Sequence, residues 1–368
     1  MARRYLPKDM QELMRWYERY VSPLALIAGF LADNFILLKR VDLLQTNLLL
    51  LFYLFIAGLG IIAIHLIETG RLREERKANS LPLILIAMQF SFGGLLSGYL
   101  SLYSRSASLA VGWIFVVIVA ALLFGNERFM RLYARFVFQI SLYFTVLFSF
   151  LIFFLPVVLH RIGPLMFIMS GVASVLLITL FLWLLDRAVP EIVRKDLSIV
   201  VAAIVIIFSL FNVLYFSNLI PPLPLALKEA GVYHGVVRMP DGSYQLLAER
   251  VPWYEYYFLN YNTRYHAAPG EGVYAYSAIF APSGLSTVIL HQWQKYDTAS
   301  GVWITADTLR FAIVGGRDGG YRGYSFKSAP APGRWRVNVI TQYGQLVGRV
   351  SFTVVSASTT PPLVSSTQ

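Results

Sequence analysis

Seven long apolar runs lie between residues 22 and 219, and they constrain the fold more than any other feature of the chain. They fall at about 22–39, 46–66, 81–103, 109–125, 134–159, 164–186 and 197–217. A helix that crosses the hydrocarbon core of a bilayer needs roughly 20 mostly apolar residues. The runs therefore predict a transmembrane bundle of about seven helices over residues 22–219, with the lipid bilayer as its partner.

The pattern changes after residue 219, where apolar and polar residues alternate with a period of two. Short stretches such as STVILHQWQKY and GRWRVNVI are separated by turn sequences rich in Pro, Gly, Asp and Ser. Seven or eight short strands at this spacing are typical of an antiparallel sandwich of immunoglobulin type, which we expect over residues 220–356. In RWRVNV, Trp335, Val337 and Val339 should enter the core, while Arg334, Arg336 and Asn338 should face solvent.

The two ends of the chain differ from these domains. Residues 1–21 contain a basic amphipathic segment, at about 7–20, that predicts an interfacial helix at the cytoplasmic surface. Residues 357–368 are polar and contain two prolines, so we expect this tail to be disordered.

Composition excludes several classes of protein. Hydrophobic residues make up 57% of the chain and charged residues only 14%, well below the roughly 25% charged of soluble proteins. The sequence contains no cysteine, which excludes disulfides, thiolate metal sites and cysteine nucleophiles. Much of the net charge of +11 lies in loops between apolar runs, so a bilayer explains it better than nucleic acid does.

The distribution of Lys and Arg among the loops predicts the orientation. Fifteen of these residues fall in the N-terminus and alternate loops, and four fall in the loops of the opposite side. Because positively charged loops stay in the cytoplasm, we expect a bacterial inner-membrane protein with a cytoplasmic N-terminus. An odd number of spans then places the C-terminal domain outside the cytoplasm.

Four short motifs follow one another over residues 286–355, namely H-x-W, G-x-W-R-V-x-V, G-x-x-x-G and a closing F-x-V. They are filled by His291, Trp293, Gly333, Trp335, Arg336, Val337, Val339, Gly344, Gly348, Phe352 and Val354. In these motifs the stretch resembles a bacterial family known as domain of unknown function 2914. Gln292 stands where many members have Arg. The apolar half, notably AGFLADNFILLKRVDLL, is similar to the multi-span segment often joined to this domain. The resemblance implies a bacterial envelope protein and no known activity.

The stretch GGRDGGYRGYSF, residues 315–326, is the most conspicuous candidate site. It lacks the Lys-Ser or Lys-Thr of a phosphate-binding loop, and a strand follows it instead of a helix. A strand connection whose glycines adopt positive φ is the first interpretation. The alternative is a loop that contacts a ligand through Arg317, Asp318, Tyr321 and Arg322.

His291 and Trp293 form a second candidate, because residues two apart share one face of a strand. They are either packed in the core or exposed to a ligand. The aromatic stretch at 251–266 could contact sugar rings or a membrane surface. No spacing of histidines predicts a metal site, and no motif predicts catalytic residues, so we expect neither a cofactor nor an enzyme.

Polar residues at the outer end of the first apolar run form a third candidate, namely Asp33, Asn34, Arg40 and Asp42. A carboxylate within a span needs a partner or water, so an ion pair at the membrane boundary is the simplest interpretation.

Two functional hypotheses follow. The first is a polytopic membrane protein whose extracytoplasmic sandwich recognises an envelope glycan or another envelope protein without catalysis. The alternative is a small-solute transporter or membrane-embedded enzyme with its polar site near Asp33.

Reporter fusions test the predicted orientation. Alkaline phosphatase fused after Val355 should be active, and a fluorescent protein fused at the same place should be dark, because loop charge places this residue outside. The opposite pair of results would reverse the predicted topology.

Overall fold

The computed structural model describes residues 42–71, 77–106, 116–123, 135–220, 222, 224–250 and 261–368. The chain divides into two compact units. One is mainly helical and comprises Met1–Ser104, Ile114–Leu159 and Pro164–Leu219. The other contains the strands and comprises Arg105–Trp113, His160–Gly163 and Ile220–Gln368.

Six helices are described in the chain. They are α1 (Leu44–Glu68), α2 (Lys77–Ser106), α3 (116–123), α4 (Phe136–Leu159), α5 (Pro164–Ala188) and α6 (Pro190–Phe216). All except α3 contain a segment long and apolar enough to cross a membrane, judged by length and composition. These five correspond to the predicted spans at 46–66, 81–103, 134–159, 164–186 and 197–217.

The remaining two predicted spans are not tested in full. The run at 22–39 and the amphipathic segment at 7–20 lie outside the described residues, and of the run at 109–125 only 116–123 is described. Helix α6 begins at Pro190, seven residues before the predicted start. Proline is favourable in the first helical turn, where its missing N–H would have no intrahelical partner.

Small residues and side-chain hydrogen bonds hold the helices together. A Cβ on Gly94 would lie 2.6 Å from the Tyr53 ring of α1, so glycine permits this close contact. The Tyr99 hydroxyl donates to the carbonyl of Val146 at 2.7 Å. Gly94, part of the small-residue pattern in FGGLLSG, thus packs within the bundle.

Eleven strands are described in the second unit. They are β1 (Ala226–Tyr233), β2 (Gly235–Arg238), β3 (Tyr244–Glu249), β4 (Arg264–Ala267), β5 (Val273–Phe280), β6 (Ser286–Asp297), β7 (Val302–Val314), β8 (Tyr321–Lys327), β9 (Gly333–Thr341), β10 (Leu346–Ser356) and β11 (Leu363–Thr367). They form three sheets, ordered β1-β5-β8, β4-β10-β9-β6-β7 and β11-β3-β2. The pairs are antiparallel except β4 with β10, which is parallel.

Two of the sheets enclose the main core. Trp293, Trp335 and Phe352 of the five-stranded sheet pack with Val273 and Ala275 of β5. The other face of β5 presents Tyr276 and Ala278, which pack with residues of β2 and β3. Strand β5 is therefore covered on both faces, and the alternating pattern gives way there to continuous burial.

The structure corrects the expectation of a disordered tail at 357–368. Residues Leu363–Thr367 form β11, which pairs with β3 along its whole length. The side chains of β11 are exposed, so composition alone suggested disorder. Backbone hydrogen bonds to β3 order the segment, and these bonds do not depend on apolar side chains.

The core assignment gives a direct stability test. Trp335 is buried and Arg334 is exposed, as the alternation predicts. Trp335→Ala should destabilise the β unit by about 3–5 kcal/mol, because a large aromatic leaves a cavity. Arg334→Ala should cost below about 1 kcal/mol. Hydrogen exchange of β9 and β10 in the full-length chain measures both, and equal effects would contradict the strand register.

Candidate functional site

His291 and Trp293 lie side by side in the core, and both are fully buried. The hydroxyl oxygen of Ser325 accepts a hydrogen bond from Trp293 Nε1 at 3.0 Å. His291 Nδ1 lies 2.9 Å from the same hydroxyl, and His291 Nε2 lies 2.8 Å from Ser277 Oγ. All the polar atoms of this pair are thus satisfied inside the protein.

This arrangement corrects the assignment of His291 and Trp293 as ligand-contacting residues. Burial lowers the pKa of His291 to about 4, so the ring is neutral at ordinary pH. A neutral ring with Nε2–H donating to Ser277 and Nδ1 accepting from Ser325 satisfies the network. Neither serine was identified from sequence, because only the packing of the paired strands β5 and β8 against β6 brings the two hydroxyls to His291. A serine next to histidine here has no exposed surface at which a substrate could react.

Backbone geometry accounts for several glycines of the 315–326 stretch. A Cβ on Gly315 would lie 1.8 Å from the carbonyl oxygen of Pro282, and Gly320 adopts a φ of 82° against the backbone of Ile279. Such positions exclude other residues, either by collision or by left-handed strain. Residues 315–320 connect β7 to β8, and residues 321–326 lie within β8, in agreement with the first interpretation.

The four predicted loop residues are not drawn into one pocket. Arg317 and Asp318 are exposed, while Tyr321 and Arg322 are half-buried at the start of β8. The Arg317 guanidinium lies 5.4 Å from the Tyr321 ring centre, within cation–π range. Of the membrane cluster only Asp42 is described, and Asp33, Asn34 and Arg40 lie outside the described residues.

A chain of two histidines and two glutamates links β3 and β4 to the segments that follow β1 and precede β5. His234 Nδ1 lies 2.6 Å from Glu271, and its Nε2 lies 3.1 Å from Glu249. Glu249 also accepts hydrogen bonds from the backbone N–H of His266 at 2.7 Å, and its other oxygen lies 2.7 Å from His266 Nδ1. Thr360 donates to Glu271 at 3.2 Å, which ties the C-terminal segment to the chain.

The charge state of this cluster follows from its geometry. Burial disfavours the charged form of His234, but its hydrogen bonds with Glu249 and Glu271 outweigh burial and raise its pKa above the ordinary value. Burial likewise opposes ionisation of Glu249 and Glu271, yet the bonds from His234 and from neighbouring groups lower the pKa of both. An imidazolium between two carboxylates is the state that satisfies both ring nitrogens. Within the described ranges, no group of three or more His, Asp or Glu is arranged to hold a metal ion.

The outward face of the five-stranded sheet carries a row of hydrogen-bonded polar side chains. Gln294 Nε2 donates to Thr305 on β7, and Gln294 Oε1 accepts from Arg336 Nε at 2.7 Å. Asn338 donates to the same Gln294 oxygen at 3.0 Å and accepts from Arg349 Nε at 2.7 Å. The row thus crosses four strands, β7, β6, β9 and β10.

Two aromatic rings continue this face at its β6–β7 end. The rings of Tyr296 and Trp303 are 5.2 Å apart. The Arg336 guanidinium lies 4.3 Å from Trp303, and that of Arg334 lies 4.7 Å from Tyr296. We call the set the arginine–amide face; it consists of Gln292, Gln294, Tyr296, Trp303, Thr305, Arg334, Arg336, Asn338 and Arg349.

The arginine–amide face is positively charged. The outward positions of β6, β7, β9 and β10 include no aspartate or glutamate, and all four strands lie in the described part of the chain. Burial, with the nearby charge of Arg349, lowers the pKa of Arg336. The guanidinium groups of Arg336 and Arg349 are therefore near each other and form no salt bridge with a described carboxylate, which favours binding of an external anion.

Sequence alternation predicted the outward direction of Arg334, Arg336 and Asn338. The prediction that Asn338 is exposed to solvent was wrong, because neighbouring arginine and glutamine side chains leave it only 5% exposed. Trp303 and Gln294 were not identified as site residues. The signal available was weak, since their approach to Arg336 depends on the pairing of β6 with both β7 and β9.

These features define a class: a helical unit with five candidate membrane spans joined to a C-terminal β unit. Residues 286–354 match the family model described as "Protein of unknown function (DUF2914)", which covers part of the β unit. The match confirms the family resemblance found in the sequence. It begins at the first residue of β6 and ends within β10, so it covers the arginine–amide face.

No curated protein matches the chain. Among solved structures, the chain is similar at 11% identity to the Pseudomonas fluorescens alkylpurine DNA glycosylase AlkC bound to DNA containing an abasic site analog. The alignment covers 86% of this chain and 99% of the glycosylase, with a TM-score of 0.23. A likeness of that size carries no inference about fold or function.

The His–Glu cluster predicts how stability depends on pH. The raised pKa of His234 gives stabilisation that is complete below its ordinary value of about 6.5 and is lost as pH rises through the folded value. The lowered pKa values of Glu249 and Glu271 give stabilisation above about pH 4.3 that is lost on acidification. The midpoint temperature of thermal unfolding of the β unit should therefore be highest between about pH 4.5 and 6.5.

Glu271→Gln tests the assignment, because the variant keeps the shape and removes one charge. The midpoint temperature should then vary less with pH on both sides of the maximum. Asp318→Asn removes an exposed carboxylate elsewhere and should leave the profile unchanged. An unaltered profile in Glu271→Gln would show that the cluster does not control the pH dependence.

Proposed function

We propose that the chain is an inner-membrane protein with seven spans that displays an immunoglobulin-like β unit outside the cytoplasm. The displayed unit recognises a glycan of the bacterial envelope without catalysing a reaction. Loop charge supports the orientation, and two facing sheets support the sandwich class. Neither the helical bundle nor the β unit has a catalytic assignment in this proposal.

The arginine–amide face is the observation that carries the proposal. Aromatic rings can stack on the apolar faces of sugars, while amides and guanidinium groups can hydrogen-bond to sugar hydroxyls and acidic substituents. Gln294 and Asn338 are held by neighbours on both sides. A ligand would therefore meet a surface that is already ordered, which reduces the entropy cost of binding.

The polar centre of the arginine–amide face favours a glycan over a partner protein as the ligand. Interfaces between proteins usually have an apolar centre, whereas the middle of this face consists of Gln294, Arg336 and Asn338. The loop at 315–326 is a weaker candidate, because its glycines are explained by backbone geometry. The transporter or enzyme hypothesis rests on Asp33 and gains no support from the described residues.

Retention of the purified full-length protein on immobilised envelope polysaccharide tests the proposal. Trp303→Ala should weaken retention by about tenfold, because the variant removes a stacking surface and the support of Arg336. Tyr343→Ala removes a half-exposed aromatic in the β9–β10 turn and serves as the matched control. Equal retention of both variants, or no retention of the native chain on any envelope glycan, would refute the function.

A further inference from the structure

The arginines of the five-stranded sheet extend beyond the arginine–amide face and form an array. Arg264 of β4 and Arg334 of β9 lie opposite Thr353 on the two sides of β10. Arg349 pairs with Asn338, so it lies diagonally across from Arg336. Strand geometry places Arg334 and Arg336 about 7 Å apart, and it separates Arg336 from Arg349 by about 7–8 Å. Arg334, Arg336 and Arg349 thus lie at steps of about 7–8 Å across β9 and β10.

We propose that the ligand of this face is a polyanion, an envelope polysaccharide that carries regularly spaced phosphate, sulfate or carboxylate groups. This inference rests on the proposed function and names its substrate class. Each acidic group pairs with the guanidinium of one arginine, and the sugar rings between them contact Tyr296 and Trp303.

The hydrogen bonds within the array leave the anion-binding atoms available. In both Arg336 and Arg349 the described bond uses Nε, with Gln294 and Asn338 as acceptors. Among the described residues no carboxylate forms a salt bridge with Arg334, Arg336 or Arg349. The terminal amino groups can therefore bind an acidic group with two parallel hydrogen bonds.

Several charges at one spacing favour a polymer over a small anion or a neutral sugar. A single exposed ion pair contributes little, because water and salt screen it. A polymer engages several such pairs at once, and each further contact is intramolecular after the first. A neutral glycan would leave the mutual repulsion of the arginines uncompensated.

A phospholipid surface is the competing source of repeated negative charge. Binding to a bilayer surface normally buries apolar side chains as well as pairing charges. The outward positions between the arginines carry instead amides and hydroxyls, namely Gln292, Gln294, Asn338, Ser351 and Thr353. These groups match the hydroxyls of a polysaccharide better than the interior of a leaflet.

Binding of four probes to the full-length protein in neutral detergent tests the inference. The probes are dextran sulfate, neutral dextran, inorganic sulfate and vesicles of phosphatidylglycerol. Dextran sulfate should bind in a salt-dependent manner, and the other three should bind at least about tenfold more weakly at equal charge or mass concentration.

Charge-removing variants locate the site. Arg336→Gln/Arg349→Gln should weaken dextran sulfate binding by about 10- to 100-fold and reduce its salt dependence. Arg264→Gln/Arg334→Gln changes two exposed residues and should act in the same direction, so a folding defect of the first variant does not decide the outcome. Arg238→Gln/Arg317→Gln removes the same charge from other exposed positions and should bind as the native chain does.

Each contrary outcome has a distinct meaning. Equal binding of dextran and dextran sulfate, or salt-insensitive binding, would overturn the polyanion and leave glycan recognition standing. Vesicle binding without dextran sulfate binding would assign the face to the membrane surface. Loss of binding in Arg238→Gln/Arg317→Gln alone would move the site away from the five-stranded sheet. Retention on no glycan at all refutes the proposed function itself.

Discussion

The alternation of side chains along β6 and β9 is the constraint on which the rest of the β unit depends. Trp293 and Trp335 must enter the core, so Gln294 and Arg336 must face outward. A shift of one residue would bury the arginines and expose the tryptophans. The hydrophobic effect therefore fixes the composition of the candidate binding face as firmly as it fixes the core.

Polar groups inside the same sheets are tolerated because they are paired. His291, Ser277 and Ser325 exchange hydrogen bonds within the core, while His234 lies between Glu249 and Glu271. An unpaired buried group of either kind would cost stability. These two networks use His291, His234, Glu249 and Glu271 for structure, whereas the arginines of the arginine–amide face form no salt bridge with a carboxylate in the described part of the chain.

The local pattern of apolar and turn residues was enough to predict much of the secondary structure. Five of the apolar runs correspond to long apolar helices, and the turn chemistry of 315–326 agrees with the glycine geometry observed there. The predictions that were wrong share one cause. The environment of each of these residues depends on partners that are distant in the sequence. His291 was offered as a ligand contact because a strand face does not reveal which side a second sheet will cover. The tail was expected to be disordered because pairing of β11 with β3 leaves no mark in side-chain composition.

By itself, the sequence determined the division into an apolar half and an alternating half, the family over residues 286–354, and the face of β9 on which each residue lies. These properties follow from local periodicity, which needs no knowledge of the fold. Only the tertiary structure decided that Ser325 reaches His291 and that Gln294 joins Arg336 to Asn338. The reason is physical: pairing between strands and packing between sheets bring residues 30 to 45 positions apart into hydrogen-bonding distance. The His291–Ser325 bond spans 34 residues between two sheets, and the Arg336–Gln294 bond spans 42 residues within one sheet. The positions of such partners are set by the register of the sheet.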